Sequence, residues 1–205
     1  LLLALLVFAP AYVIYLFTLV APEGTATVHL GDEIVRTPLA EAFPAFTTPM
    51  TAALLSGITG LFLMHSSAVA DSRLVVAGYR AHQVVLARLG LLLGVGAVAT
   101  GVSVSVMLTA FSPEHLGWFV VGTGLTALVY GMVGSMIDLF IFQNPLATDP
   151  PDTAKLLPGH YPLRIAMEAG FTGIVEIASI SRTLLYLSIL TAIATGAFYR
   201  EMNVI

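Results

Sequence analysis

Long apolar runs constrain the fold of this chain more than any other feature of its sequence. A run of about 17–25 residues can cross a hydrocarbon core of roughly 30 Å as a helix. With 58% hydrophobic and only 10% charged residues, the chain also lies far outside the composition of soluble domains. The sequence therefore predicts an all-α polytopic membrane protein. The apolar runs are 1–20, 47–69, 89–111, 118–142 and 183–199.

The run at 118–142 leaves two interpretations of the number of spans. If it forms one span, the acidic segment 144–180 lies on the cytoplasmic side, which fits the positive-inside rule poorly. If it forms two, the second, from Ser135 to Gln143, has only about nine residues and is too short to cross. We therefore expect a stretch to be missing near the junction 134–135, and about six transmembrane helices in a single transmembrane domain over 1–205.

Two polar segments are predicted to lie on the extracellular side. The first, 21–46, contains alternating stretches at 25–30 and 33–37 around Gly31-Asp32, which predicts a small β-hairpin. The second, 144–180, is proline-rich at first, and its portion 163–171 is amphipathic and short. That pattern predicts a helix lying in the membrane interface.

The segment 70–88 is short, amphipathic and placed between two apolar runs, so it is expected at a membrane surface. It carries three of the eight Lys and Arg residues, and positive charge near span ends collects on the cytoplasmic side. We therefore place this segment, and the C-terminus, in the cytoplasm. Capped near Asp71, a short helix here would present arginine and tyrosine side chains to a soluble partner, or would bind anionic lipid headgroups. The three arginines are Arg73, Arg80 and Arg88.

Three stretches of the chain carry a resemblance to a known family. The first has the form Arg-Leu…Gly-Tyr-Arg…Val-Leu-Ala-Arg-Leu and lies within 73–89. The second is Tyr130-Gly-Met-Val-Gly with Met136-Ile-Asp-Leu-Phe-Ile-Phe-Gln-Asn-Pro145, and the third is Leu157-Pro-Gly-His-Tyr-Pro-Leu-Arg164. In order and spacing they resemble the permease subunits of the ABC type-2 (exporter) transporter family of prokaryotes, archaea included. The abrupt junction at 134–135 departs from that family, whose members have a cytoplasmic connection there.

The resemblance implies a multi-pass permease of the cell membrane whose segment 70–88 is a cytoplasmic coupling helix. It implies extracellular helices within 144–180 that dip into the membrane edge. The chain itself would bind no cofactor and would not be an enzyme, because ATP and Mg²⁺ would bind to a separate ABC ATPase subunit. A second copy, or a homologous permease, would complete a dimer, and membrane lipids would surround it. The residues expected to dock the ATPase are Arg73, Gly78, Tyr79, Arg80 and His82.

Few other side chains indicate chemistry. Asp138 is the only acid inside an apolar run, and such a carboxylate could line a translocation path, although a role in capping a broken helix is favoured. No Gly-x-x-x-x-Gly-Lys-Ser/Thr element exists and Lys155 is the single lysine, so the ATPase does not lie in this sequence. The five histidines are scattered without metal-ligand spacing, cysteine is absent, and no basic patch suggests nucleic acid.

Two further functions are compatible with the sequence. One is a non-transporting membrane scaffold or anchor subunit, whose acidic outer loops would bind an extracellular partner. The other is an ion-coupled carrier that uses Asp138, which is weaker because the chain shows no internal repeat and no second intramembrane charge.

Overall fold

The computed structural model describes residues 8, 11–16, 19–20, 24–30, 33–76, 78–133 and 154–202. Within these ranges, the side chains of residues 33, 63–76, 81, 154 and 197–202 are outside the description. The predicted first span lies mostly outside the described residues. Asp138 and the junction at 134–135 lie outside them altogether.

The described residues are mostly helical, with one two-stranded sheet near the start. The strands are β1 (Thr25–Leu30) and β2 (Glu33–Pro38). The helices are α1 (Leu39–Val76), α2 (Ala81–Met107), α3 (Leu116–Val133), α4 (His160–Phe171) and α5 (Ile177–Met202), and a short 3₁₀ turn covers Ala154–Leu156.

Four of the described helices are long and apolar enough to cross a membrane. They overlap the predicted runs at 47–69, 89–111, 118–142 and 183–199, so the sequence correctly predicted their presence and type. The count of about six spans stays a prediction. The candidate spans are Leu39–Phe62 in α1, His82–Met107 in α2, Leu116–Val133 in α3 and Ile177–Gly196 in α5.

The predicted hairpin is confirmed. β1 and β2 pair antiparallel, and Leu30 faces Glu33, so two residues connect the strands. The alternating pattern of β1 turns alanine, valine and leucine side chains inward, where they pack on the beginning of α1 and on α4. The residues of this small core include Ala26, Val28, Leu30, Phe46, Met50, Leu163 and Met167.

Glycines bring α1 and α3 into close backbone contact. A Cβ on Gly60 would overlap the carbonyl oxygen of Gly131, and a Cβ on Gly131 would lie 2.6 Å from the Ser56 hydroxyl. Small residues at helix crossings in membranes allow such close approach. α1 and α3 therefore form the centre of the helix packing.

The helix α4 lies within the segment in which a short interfacial helix is predicted. It begins at His160, is buried along almost its whole length and packs against α3. A Cβ on Gly122 of α3 would lie 2.5 Å from the Ala166 backbone nitrogen, and one on Gly159 would overlap the Tyr130 hydroxyl. These contacts run in opposite order along the two helices, so α4 is antiparallel to α3. Glycines on both sides let α4 pack into the bundle, and its position relative to the membrane edge stays a prediction.

The segment 70–88 contains no separate short helix. α1 continues without a break to Val76, and α2 begins at Ala81. The expected helix capped near Asp71 is therefore the end of a 38-residue helix, and the polar part of the segment is a tight connection between α1 and α2. The expected start of a new helix near Asp71 was wrong, because the backbone stays helical beyond the apolar run that ends at residue 69.

Candidate functional site

The connection between α1 and α2 is built by local backbone chemistry. Gly78 has φ +96°, a left-handed conformation that glycine adopts without the steric cost of a Cβ. Next to it, the Arg80 backbone N–H donates to Gln83 Oε1 at 3.0 Å, and the Gln83 N–H donates to the Arg80 carbonyl at 2.9 Å. These two bonds satisfy groups that the start of a helix leaves without partners. The turn therefore has a defined shape, and we call residues 78–83 the docking turn.

The docking turn presents its side chains outward. Tyr79 is 55% exposed, and Arg80 and His82 are exposed beside it. An aromatic ring and a guanidinium group at the tip of a turn are the residue types that most often dominate protein–protein contacts. Of the predicted docking residues, the structure brings Gly78, Tyr79, Arg80 and His82 together, whereas the Arg73 side chain lies outside the described residues.

The docking turn is joined directly to the packed centre of the molecule. α1 is 38 residues long and ends at Val76, and α2 is 27 residues long and begins at Ala81, within the turn itself. In the span of α1, 67% of the residues are buried inside the protein. A partner that moves the turn would therefore move two helices, one of which contacts β1, β2, α2, α3 and α4.

An ion cluster that the sequence reasoning missed joins α4 to the start of α5. Arg164 Nε lies 2.6 Å from Glu168 Oε1, and its Nη2 lies 3.0 Å from Glu176 Oε2. The other Glu168 oxygen accepts the Glu176 backbone N–H at 3.0 Å, and Glu168 is only 6% exposed. Gly173, with φ +66°, turns the chain back between the two acids. The i,i+4 spacing of Arg164 and Glu168 was the one signal in the sequence that could have found this cluster.

The far end of α4 is also tied to the connection between α2 and α3. The backbone N–H groups of Glu114 and His115 donate to the carbonyls of Gly170 and Ala169, at 3.2 and 2.9 Å. These carbonyls end the helix and have no partner within it. The end of α4 and the start of α3 therefore lie at the same end of the bundle, opposite the docking turn.

Neither a metal centre nor a translocation path is defined by the described residues. Within them, no three His, Asp or Glu side chains come together in a way that could hold a metal ion. The candidate path residue Asp138 lies outside them. The docking turn and the Arg164 cluster are two polar sites with a defined geometry.

Fold and composition define a helical, membrane-associated protein with four apolar helices of spanning length among its described residues. No protein-family model, no curated protein and no solved structure matches the chain.

Proposed function

We propose that the chain is the transmembrane permease subunit of an ATP-driven ABC transporter of the exporting kind. The docking turn carries this proposal, because it is an exposed, conformationally defined tip shared by two helices of spanning length. The resemblance of 73–89 to a family coupling segment supports the same role. In this proposal the chain is multi-pass in the cell membrane, with the turn and the C-terminus in the cytoplasm.

The proposed mechanism is mechanical, and the chain performs no chemistry. An ABC ATPase subunit docks on Tyr79 and Arg80, binds ATP and Mg²⁺ itself, and moves the turn as it closes. Because α1 contacts α3 backbone to backbone at Gly60 and Gly131, a displacement of α1 is passed to α3. A second copy, or a homologous permease, supplies the other wall of the path. Exchange between two packings of these helices then opens the path to one side and afterwards to the other.

Co-purification with the ATPase tests the docking role. We expect a Walker-type ATPase to stay bound to the wild-type chain in mild detergent. The double variant Tyr79→Ala plus Arg80→Glu should bind at least about tenfold less ATPase. Aromatic and arginine contacts at such sites are each worth more than about 1.4 kcal/mol, which corresponds to a tenfold change in affinity. Mass spectrometry of the purified complex and its ATPase activity measure the loss.

A matched control is available at the other polar end of the molecule. Ile34 and Arg36 of β2 are an exposed apolar residue and an exposed arginine, and Ile34 is 61% exposed. The double variant Ile34→Ala plus Arg36→Glu makes the same change of charge and also truncates a large exposed side chain, without touching the turn, so it should retain the ATPase. If the wild type carries no ATPase, or if both double variants retain it equally, the transporter proposal fails and a scaffold subunit becomes the better explanation.

A further inference from the structure

Arg182 occupies an unusual place for a cation. It lies five residues after the start of α5 at Ile177, within the candidate span Ile177–Gly196, and it is exposed. Only 11% of the residues in that span are buried inside the protein, far fewer than in α1. A charged side chain on a helix surface that faces lipid is costly unless a counter-charge or water reaches it.

Tyr161 holds the Arg182 guanidinium in position. Its Nη1 donates to the Tyr161 hydroxyl at 3.2 Å, and its Cζ lies 5.0 Å from the centre of the Tyr161 ring. Tyr161 is nearly buried and stacks against Tyr186 with ring centres 6.2 Å apart, and Tyr186 in turn donates from its hydroxyl to the Leu156 carbonyl at 2.7 Å. Arg182 is therefore pre-oriented on a fixed platform, with most of its five N–H donors still directed elsewhere.

The charge of Arg182 is not neutralised by the described part of the chain. Arg164, on the neighbouring helix, has two carboxylates within 3.0 Å, those of Glu168 and Glu176. Arg182 has no carboxylate partner among the described residues, and its bonded neighbour there is a neutral phenol. An anion bound at this exposed surface would balance the charge that the described residues leave without a carboxylate.

The surface next to Arg182 favours a lipid as the source of that anion. Leu185, Ile189 and Ile193 follow Arg182 at i+3, i+7 and i+11 on the same face of α5, and they are 60%, 45% and 62% exposed. A cation near the end of a span suits the phosphate headgroup of a lipid. The apolar stripe that continues toward the middle of the span suits its acyl chain. Phosphate also suits the planar fork of donors in arginine.

We propose that Arg182, oriented by Tyr161, binds the phosphate group of a membrane phospholipid whose acyl chain lies along Leu185, Ile189 and Ile193. The site depends on α5 crossing the bilayer, but it does not depend on a transport function. Tyr161 is a positioning residue, because it acts on the lipid only through Arg182.

Native mass spectrometry of the purified full chain, titrated with defined lipids, tests the site. Phosphatidylglycerol carries both phosphate and acyl chains, diacylglycerol has the chains without the phosphate, and inorganic phosphate has no chain. We expect one phosphatidylglycerol per chain to bind about tenfold more tightly than diacylglycerol, the effect of a charge-assisted hydrogen-bonded pair. Arg182→Gln should remove that preference, whereas Arg36→Gln, which removes an exposed arginine from β2, should leave it intact.

Two conservative variants keep the test informative if Arg182→Gln does not fold. Arg182→Lys preserves the charge and loses the fork, and Tyr161→Phe preserves the ring and loses the hydroxyl. Each should weaken phosphatidylglycerol binding about fivefold, the effect of one hydrogen bond. The proposal is overturned if these variants bind phosphatidylglycerol like the wild type, or if diacylglycerol binds equally well. It is also overturned if inorganic phosphate alone occupies the site as tightly, since the ligand would then be a soluble anion.

Discussion

At the scale of single residues, the contact between Gly60 and Gly131 limits what the chain tolerates. A methyl group on Gly60 would overlap the Gly131 carbonyl oxygen, which is backbone and cannot turn aside. We expect Gly60→Ala to force α1 and α3 apart and to lower the free energy of unfolding by about 2 kcal/mol. Thermal unfolding of the purified protein in detergent, followed by circular dichroism, measures the change.

Gly101 offers a matched control on α2. A Cβ there would meet nothing within 4 Å, and the residue is exposed. Gly101→Ala should therefore leave stability unchanged or raise it by up to about 1 kcal/mol, the usual difference in helix propensity. Equal destabilisation by both alanines would mean that the close contact of α1 with α3 is not formed.

Other single residues show what the sequence could not reveal. Pro44 and Pro49 are residues that disfavour a helix interior, and the predicted span began at Thr47, yet α1 runs through both prolines from Leu39. Within this stretch, the Thr48 hydroxyl donates to the Pro44 carbonyl at 2.7 Å, and the Thr47 hydroxyl donates to the Phe43 carbonyl at 2.8 Å. These bonds give the two buried threonine hydroxyls a partner inside the helix. The burial of this stretch in the bundle keeps it helical and is not visible in local propensity.

At the scale of elements, the Arg164 cluster fixes α4 to the start of α5. Arg164→Ala would leave the nearly buried Glu168 carboxylate facing Glu176 without a cation between them. We expect a loss of about 3 kcal/mol, as when one partner of a buried ion pair is removed. Hydrogen exchange at the Glu176 amide, which donates to Glu168, should quicken in the same variant.

The conservative change separates charge from geometry at this cluster. Arg164→Lys keeps the cation but cannot reach both carboxylates through a planar fork, so it should recover only part of the lost stability. Arg36→Ala, on the exposed face of β2, removes an arginine without an ion cluster and should change stability by less than about 0.5 kcal/mol. If Arg164→Ala behaves like Arg36→Ala, the cluster does not fix these two elements.

Some elements could be predicted from sequence and others could not, for a physical reason. The hairpin follows from strictly local signals, namely alternation and a two-residue Gly31-Asp32 connection. The long helices follow from apolar length. The burial of α4 was not predicted, because it depends on Gly122 and Ala166, which lie far apart in sequence and meet only in the bundle. The Arg164 cluster was missed because Glu176 reaches it across a turn.

At the scale of the whole molecule, the order of helices fixes which polar segments share a side of the membrane. α1 and α2 lead to and from the docking turn, so the turn and the connection at 108–115 lie at opposite ends of α2. Because α4 returns along α3 and its end bonds to Glu114 and His115, the loop at 172–176 lies at the same end as that connection. Sidedness in the cell is a separate prediction, which rests on the arginines of 70–88.

Cysteine labelling tests this arrangement with little background, because the chain contains no cysteine. Tyr79→Cys, Ser112→Cys and Ile174→Cys each place one thiol at an exposed position, and Tyr79 and Ile174 are 55% and 75% exposed. In intact cells a membrane-impermeant maleimide should label the thiols at 112 and 174, and should reach the one at 79 only after permeabilisation.

Labelling of 79 alone in intact cells would be consistent with the same fold in the reverse of the predicted orientation. Labelling of 79 together with 112 would mean that α2 does not cross the membrane, and the permease proposal would then lose its structural basis.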